Sequence, residues 1–428
     1  MVRSPGAYRL YLVYSAVVAF AFALAYTVVG VYRVEAAGLS PLQLVLVGTT
    51  LEVTYFVCNV PTGVLADTYS RRLSVLIGVG LWGAGLALEG ANPAFATIVA
   101  SQVVMGVAYT FVEGALEAWL ADEIGEERFG AALLRGGQIG GVAGFVGIGA
   151  AVAAASVHLA LPLLLGGALM AALAAYLVAA MGETGFHRPP RAEAVGVRAR
   201  VGAALGEMGS TTRAGARVVR GRPLALTILV VAAIFGGHTE GFDRLWQAHF
   251  LEEIGLPSAG RFDPVVWFGA IQAATMLLGI GAAEVLRRRV PLDRPAVAVR
   301  ALFAFEATLA VGVVAFGLAV GFAPALAAYL VASVARALVA PVYTAWINRG
   351  VDPKVRATVL SMSGQADALG QFTVGPGLGL VGNAFGLRAA MAVAGLALSP
   401  AVWLYGRAAR RTAEGEPAAV SDPAAPTT

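Results

Sequence analysis

The chain has 428 residues, of which 58% are hydrophobic and only 13% charged, and its mean hydropathy is +0.76. Soluble domains carry about 25% charged and about 45–50% apolar residues, so the composition excludes a soluble globular fold and points to a polytopic membrane protein. The formal charge of +4 carries no nucleic-acid signal by itself, and the single cysteine, Cys58, excludes an intramolecular disulfide.

A transmembrane helix needs about 20 apolar residues, and twelve stretches meet that length. In the first half they cover residues 8–32, 41–65, 73–90, 95–120, 132–156 and 159–181; in the second, 223–250, 264–286, 295–317, 322–347, 357–382 and 385–406. The first run is too long for a signal-peptide core and lacks a small-residue cleavage site, so it reads as a retained span. The stretches 132–156 and 357–382 are glycine-rich and are the weaker candidates. The predicted fold class is therefore all-α, with twelve transmembrane helices.

The loops set the orientation. With both termini and every second loop placed on one side, that side holds 22 basic residues, while the other holds only Arg33 and Arg261. Loops rich in arginine and lysine stay cytoplasmic, so both termini are expected in the cytoplasm and the chain in a bacterial inner membrane.

Residues 182–222 form the longest polar stretch, with eight arginines and the Pro189–Pro190 break. They read as a basic cytoplasmic linker between a six-helix bundle at 1–181 and another at 223–411, followed by a Pro/Ala-rich tail at 412–428. The halves echo each other: Ala118–Trp119 and Gly137–Gln138 recur as Ala345–Trp346 and Gly364–Gln365 at one offset without a gap. Parallel six-span repeats are a transporter architecture, with the binding site between the halves.

The loop between the second and third stretches reads Gly63-x-Leu65-Ala66-Asp67-x-x-x-Arg71-Arg72. Asp67 and Arg71 stand four apart, the spacing of a helical charge pair. This loop, at this place in a 6+6 chain, resembles the signature loop of the major facilitator superfamily, and the resemblance covers the whole chain. It implies a cytoplasmic latch built from Gly63, Asp67, Arg71 and Arg72. Asp67 would face the start of the eleventh span near Ala357, and Arg71 would reach an acid at the end of the fourth, Asp122 or Glu123. Three departures stand out. Thr68 and Ser70 occupy positions where the family often has a basic residue and a glycine. Gln102, in Ser101-Gln102-Val103-Val104-Met105-Gly106, stands where many members carry an arginine. The fifth span keeps its glycines but lacks the Gly-Pro pair of drug/proton antiporters; Gly375-Pro376-Gly377 appears instead in the eleventh.

Ionisable side chains at membrane depth cost about 2.5–3.5 kcal/mol each on insertion scales and are functional candidates by default. Glu52, Glu113, Glu240 and Asp367 suit a carboxylate that gains and loses a proton, with Arg244 and Arg336 as counter-charges. Asp243–Arg244 reads as a local pair of gating or structural use, Glu306 as structural, and His238 and His249 as packing groups. Tyr8, Tyr11, Tyr14, Tyr26, Tyr55 and Phe56 supply aromatic surface for lipophilic compounds.

No phosphate-cradling G-x-x-x-x-G-K-[ST] loop, H-E-x-x-H pair or G-x-S-x-G elbow is present, so neither an enzyme nor a bound cofactor or metal is expected. The resulting expectation is a monomeric secondary transporter that exchanges protons for small amphipathic or drug-like compounds across the bilayer. An uptake symporter and a non-transporting scaffold or sensor are the alternatives.

Overall fold

A computed structural model describes residues 5–186, 202, 206, 223–257, 264–292, 294–351 and 353–413. Nearly all of them are helical, and no strand occurs among them. Eleven helical segments among the described residues are long and apolar enough to cross a membrane. The twelfth, Pro353–Phe385, has 33 residues and ample length but is interrupted by polar residues and glycines. The protein is an all-α polytopic membrane protein with twelve spans.

Spans one to six are Pro5–Ala36 (ending in a π-helical turn, Tyr32–Ala36), Pro41–Thr68, Arg71–Ala91, Phe95–Ile124, Glu126–Ala155 and Leu161–Ala180. Spans seven to twelve are Pro223–Ile254, Pro264–Arg289, Pro295–Leu318, Phe322–Gly350, Pro353–Phe385 and Leu387–Ala413. Span starts follow local chemistry. Ser40 and Gln43 form a reciprocal capping box with Pro41 in the first turn, and Ser70 Oγ accepts the Leu73 amide to open span three.

The chain divides into two compact units, Met1–Glu207 with Ser258–Ala273, and Met208–Pro257 with Ala274–Thr428. Within the first, span one packs on spans five and six, and span three on spans four and six. Within the second, span seven packs on span eleven, and span nine on spans ten and twelve.

Both glycine-rich spans pack closely on a neighbour through their glycines. On span five, Gly136 faces Tyr11 and Ser15, and a Cβ at Gly147 would stand 2.7 Å from the Phe20 carbonyl oxygen. On span eleven, a Cβ at Gly370 would overlap the Ala233 carbonyl, and one at Gly236 of span seven would overlap the Asp367 carbonyl. Small residues let helix backbones approach in a membrane, where packing replaces the hydrophobic drive.

The repeat noted in the sequence has matching burial: Trp119 and Trp346 are each 2% exposed. Gly137 and Gly364 both face open space.

The eight arginines of the linker and the tail beyond Ala413 lie outside the described residues. Met181–Phe186 lie across the hairpin between spans two and three.

Candidate functional site

Span four is broken in its middle. One helix ends at Val112 and the next begins at Ala115, with Glu113 extended (φ −60°, ψ 131°) and Gly114 at φ +74°. Only glycine takes that conformation freely. The carbonyls of Thr110 and Phe111, left short of helical amide donors, accept hydroxyls instead: Thr62 Oγ1 of span two donates to Thr110 O at 3.1 Å, and Ser74 Oγ of span three to Phe111 O at 2.7 Å. Freed backbone groups at membrane depth need such partners, and broken helices are tolerated where they line a cavity.

The break presents Glu113 as an exposed carboxylate in the middle of an apolar span. Tyr55 of span two donates its hydroxyl to that carboxylate, and Asn59 Nδ2 donates to the Tyr55 oxygen at 3.2 Å. Glu52, Tyr55 and Asn59 fall at i, i+3 and i+7, on one helix face, so Glu52 and Glu113 belong to the same neighbourhood. One turn before Glu113, Tyr109 stacks on Phe22 at 6.0 Å and meets Trp82 edge-on at 5.1 Å. An aromatic cluster from spans one, three and four thus lies one turn along the chain from the acid.

At the hairpin, Arg71 is ion-paired with Asp122, donates to the Ala118 carbonyl at 3.2 Å, and lies 3.7 Å from Asp67. Its guanidinium also sits over the Phe186 ring. Asp67 is itself 73% exposed, and Gly63 has open space around it. Of the two acids offered by the sequence, Asp122 takes the arginine. Glu123 instead accepts the Thr184 hydroxyl at 2.8 Å and the Gly185 amide at 2.8 Å.

Arg72 donates to the Val178 carbonyl at 2.7 Å, and its amide donates to Glu183 Oε1 at 2.9 Å. Glu183 Oε2 accepts Ser70 Oγ at 2.6 Å, and Trp119 Nε1 donates to the Gly182 carbonyl at 2.7 Å. The hairpin, the end of span four and the segment after span six therefore form one polar assembly. Ser70, a departure from the family pattern, both caps span three and binds Glu183.

In the second unit, Asp243 pairs with Arg336 of span ten in a two-pronged contact, with Nη2–Oδ2 at 2.7 Å. This corrects the local Asp243–Arg244 pair expected from sequence. Adjacent residues on a helix point about 100° apart, so Arg244 turns back to Glu240, four residues earlier, at 3.2 Å. Arg336 also acts electrostatically on Asp367, whose carboxylate accepts Gln371 Nε2 at 2.8 Å. Glu240, Asp243, Arg244, Arg336 and Asp367 thus converge from spans seven, ten and eleven. His238 and His249 are buried against the backbone carbonyls of Ala394 and Phe316.

Sequence reading missed a buried cluster at the other end of the first unit. Arg33, counted there as a loop residue, lies in the π-helical turn that ends span one, and its side chain is 5% exposed. It pairs with Glu89 of span three at 2.8 Å. The second Glu89 oxygen accepts Gln102 Nε2 at 2.9 Å and Ser101 Oγ at 3.2 Å. Gln102, noted above as replacing an arginine, thus faces an arginine–glutamate pair supplied by other spans. The signal available in the sequence was the co-occurrence of Arg33, Glu89 and Gln102 at matching depth in three neighbouring spans.

The family model for the Major Facilitator Superfamily matches residues 11–372. The chain belongs to the Major Facilitator Superfamily. This major facilitator is a membrane transporter of that type. A sequence relative is the uncharacterized MFS-type transporter YxaM of Bacillus subtilis (strain 168), 26% identical over 102 residues, which is 23% of this chain and 25% of that protein's length. Among solved structures, the nucleoside transporter NupG (D323A mutant) superposes with a TM-score of 0.74 at 10% identity, covering 94% of this chain and 99% of that one. A bacterial homologue of the human lysosomal transporter Spinster gives 0.70 at 14% identity, covering 96% and 98%. A POT family transporter in complex with 5-aminolevulinic acid gives 0.69 at 12% identity, covering 95% and 96%. At these identities the likeness establishes the major facilitator fold.

Proposed function

We propose that this major facilitator is a proton-coupled secondary transporter that works by alternating access and exports small amphipathic compounds. The observation that carries the reading is the break in span four, which exposes the Glu113 carboxylate within a membrane span, against the Tyr55 hydroxyl and one turn along the chain from the Phe22–Trp82–Tyr109 ring cluster. A carboxylate next to aromatic faces suits an amphipathic ligand, a cationic one above all, because ring faces and the acid both attract positive charge. A proton on Glu113 would compete with such a ligand, and that competition is antiport. Glu52, which acts electrostatically on Tyr55, is a second acid of the same unit. Glu240 and Asp367, with Arg244 and Arg336 as counter-charges, form the acidic set of the other.

Gly63, Asp67, Arg71, Arg72 and Asp122 act as the gate that holds one end of the transporter closed. Both termini lie in the cytoplasm of a bacterial inner-membrane protein. It is built as two six-helix bundles, 1–181 and 223–411, and works as a monomer. The proton gradient supplies the energy, without a bound cofactor.

A second reading, proton-driven uptake of a polar metabolite, draws support from the Asp243–Arg336 pair. Its partly exposed charges of both signs suit a zwitterion. Flux in proteoliposomes with an imposed pH gradient separates the two readings. Export predicts substrate movement opposite to the proton flow, and symport predicts movement with it. Gradient-independent flux would overturn both.

A further inference from the structure

Glu306 stands at the centre of span nine, is fully buried, and has no hydrogen-bond partner on either carboxylate oxygen among the described residues. Span nine packs on span ten and on both helices of span twelve. From span twelve, the Tyr405 hydroxyl is also fully buried and without a partner, and it lies within electrostatic reach of Glu306. From span ten, Tyr343 reaches it electrostatically as well, but its hydroxyl is engaged by Ser363 at 2.9 Å and the Ile228 carbonyl at 3.1 Å.

Among the described side chains, the cations of these helices are engaged elsewhere or stand at a helix end; Arg300, on span nine itself, reaches back to the Ala296 carbonyl at 3.2 Å. Arg336 is bound to Asp243. Arg388, the charged residue of helix Leu387–Leu396, holds Glu253 and the Ala319 carbonyl. Arg407 lies over Trp403, and Arg410 reaches back to the Gly406 carbonyl. Arg349 stands at the end of span ten.

An isolated ionised carboxylate in an apolar interior is prohibitively costly, and such groups persist only when paired or neutralised. We propose that Glu306, with Tyr405 beside it, is a proton-binding site inside the second unit, occupied in this conformation. Its proton is lost only when spans nine, ten and twelve part enough to admit water. A divalent cation is a poor occupant, because three oxygens, one of them phenolic, fall short of the six or more that calcium takes. This inference goes beyond the transport reading and does not depend on it.

Infrared spectroscopy of the purified full-length protein, together with melting curves across pH, tests the proposal without any flux measurement. The wild type is expected to show a protonated-carboxyl C=O band at neutral pH that is absent from Glu306→Gln. Tyr405→Phe should shift that band.

The sign of the pH effect follows from proton counting. An unfolded glutamate is ionised above about pH 4.3, whereas the folded chain keeps the proton. The folded state therefore binds more protons, and stability falls as pH rises. Each pH unit in that window should lower the folded-to-unfolded ratio about tenfold relative to Glu306→Gln. Glu306→Leu serves the same comparison if the unpartnered glutamine amide prevents folding. Parallel pH profiles in wild type and both variants, with no band lost, would overturn the proposal. Loss of the wild-type band on adding sodium would overturn it in favour of a monovalent cation.

Discussion

Ser74 and Phe111 are joined across spans three and four by a 2.7 Å hydrogen bond in which a side-chain hydroxyl replaces the amide that the broken helix no longer supplies. Ser74 is buried, so Ser74→Ala leaves a buried carbonyl unsatisfied. The expected loss is about 1–3 kcal/mol, read as a lower melting temperature in detergent. Thr62→Val should act in the same direction through Thr110. Unchanged melting in both variants would mean that the break is not held this way.

Gly114→Ala places a Cβ at φ +74°, a strain of about 1–3 kcal/mol. Span four can relieve it by closing into a continuous helix, which withdraws Glu113 from Tyr55. Transport should fall about tenfold or more while the protein remains folded, as measured by proteoliposome flux and circular dichroism. Full activity in this variant would detach function from the break.

Glu113→Gln should abolish gradient-driven transport but leave substrate exchange without a gradient, because the amide still accepts from Tyr55 and cannot release a proton. Tyr55→Phe should retain coupling, because the Glu113 carboxylate is kept. Flux and exchange assays across pH distinguish these outcomes, and wild-type coupling in the glutamine variant would remove Glu113 from the mechanism.

At the hairpin, Glu183→Ala should free Met181–Phe186 while leaving Arg71–Asp122 in place. Amide exchange of that segment should rise about tenfold, a loss of about 1.4 kcal/mol of local stability. Asp67→Asn should slow transport several-fold with little change in melting, since its carboxylate is mostly exposed. Wild-type turnover in Asp67→Asn would count against a gating role.

The glycines of spans seven and eleven permit a paired test. Gly370→Ala drives a methyl into the Ala233 carbonyl and should cost about 1–3 kcal/mol as overpacking. Gly364→Ala, on the same helix but facing open space, should be neutral or stabilising by up to about 1 kcal/mol. Equal melting temperatures for the two variants would contradict the close approach of spans seven and eleven.

Much of this major facilitator is legible along the chain. Twelve apolar stretches correspond to twelve spans because membrane insertion is governed by runs of about 20 residues, a local property. The Gly63–Arg72 loop pointed to the superfamily for a similar reason: its residues are close in sequence and its spacing is that of one helical turn. The glycine-rich spans 132–156 and 357–382 were the weaker candidates along the chain, and several of their glycines serve close contact between helices.

Partner choice was not legible. The sequence places Asp243 beside Arg244, yet Asp243 binds Arg336, 93 residues away. Arg33 read as a loop residue, yet it lies buried against Glu89. Residues 182–186 read as linker, yet they bind Ser70, Arg72, Trp119 and Glu123.

The sequence by itself determined the membrane class, the number of spans and the superfamily, because these follow from periodic burial in lipid and from short-range spacing. Only the tertiary structure decided which charges meet, where span four breaks, and that Glu306 has no hydrogen-bond partner among the described residues. Those outcomes depend on the rotation and depth of each helix against its neighbours, which packing sets and no single stretch encodes.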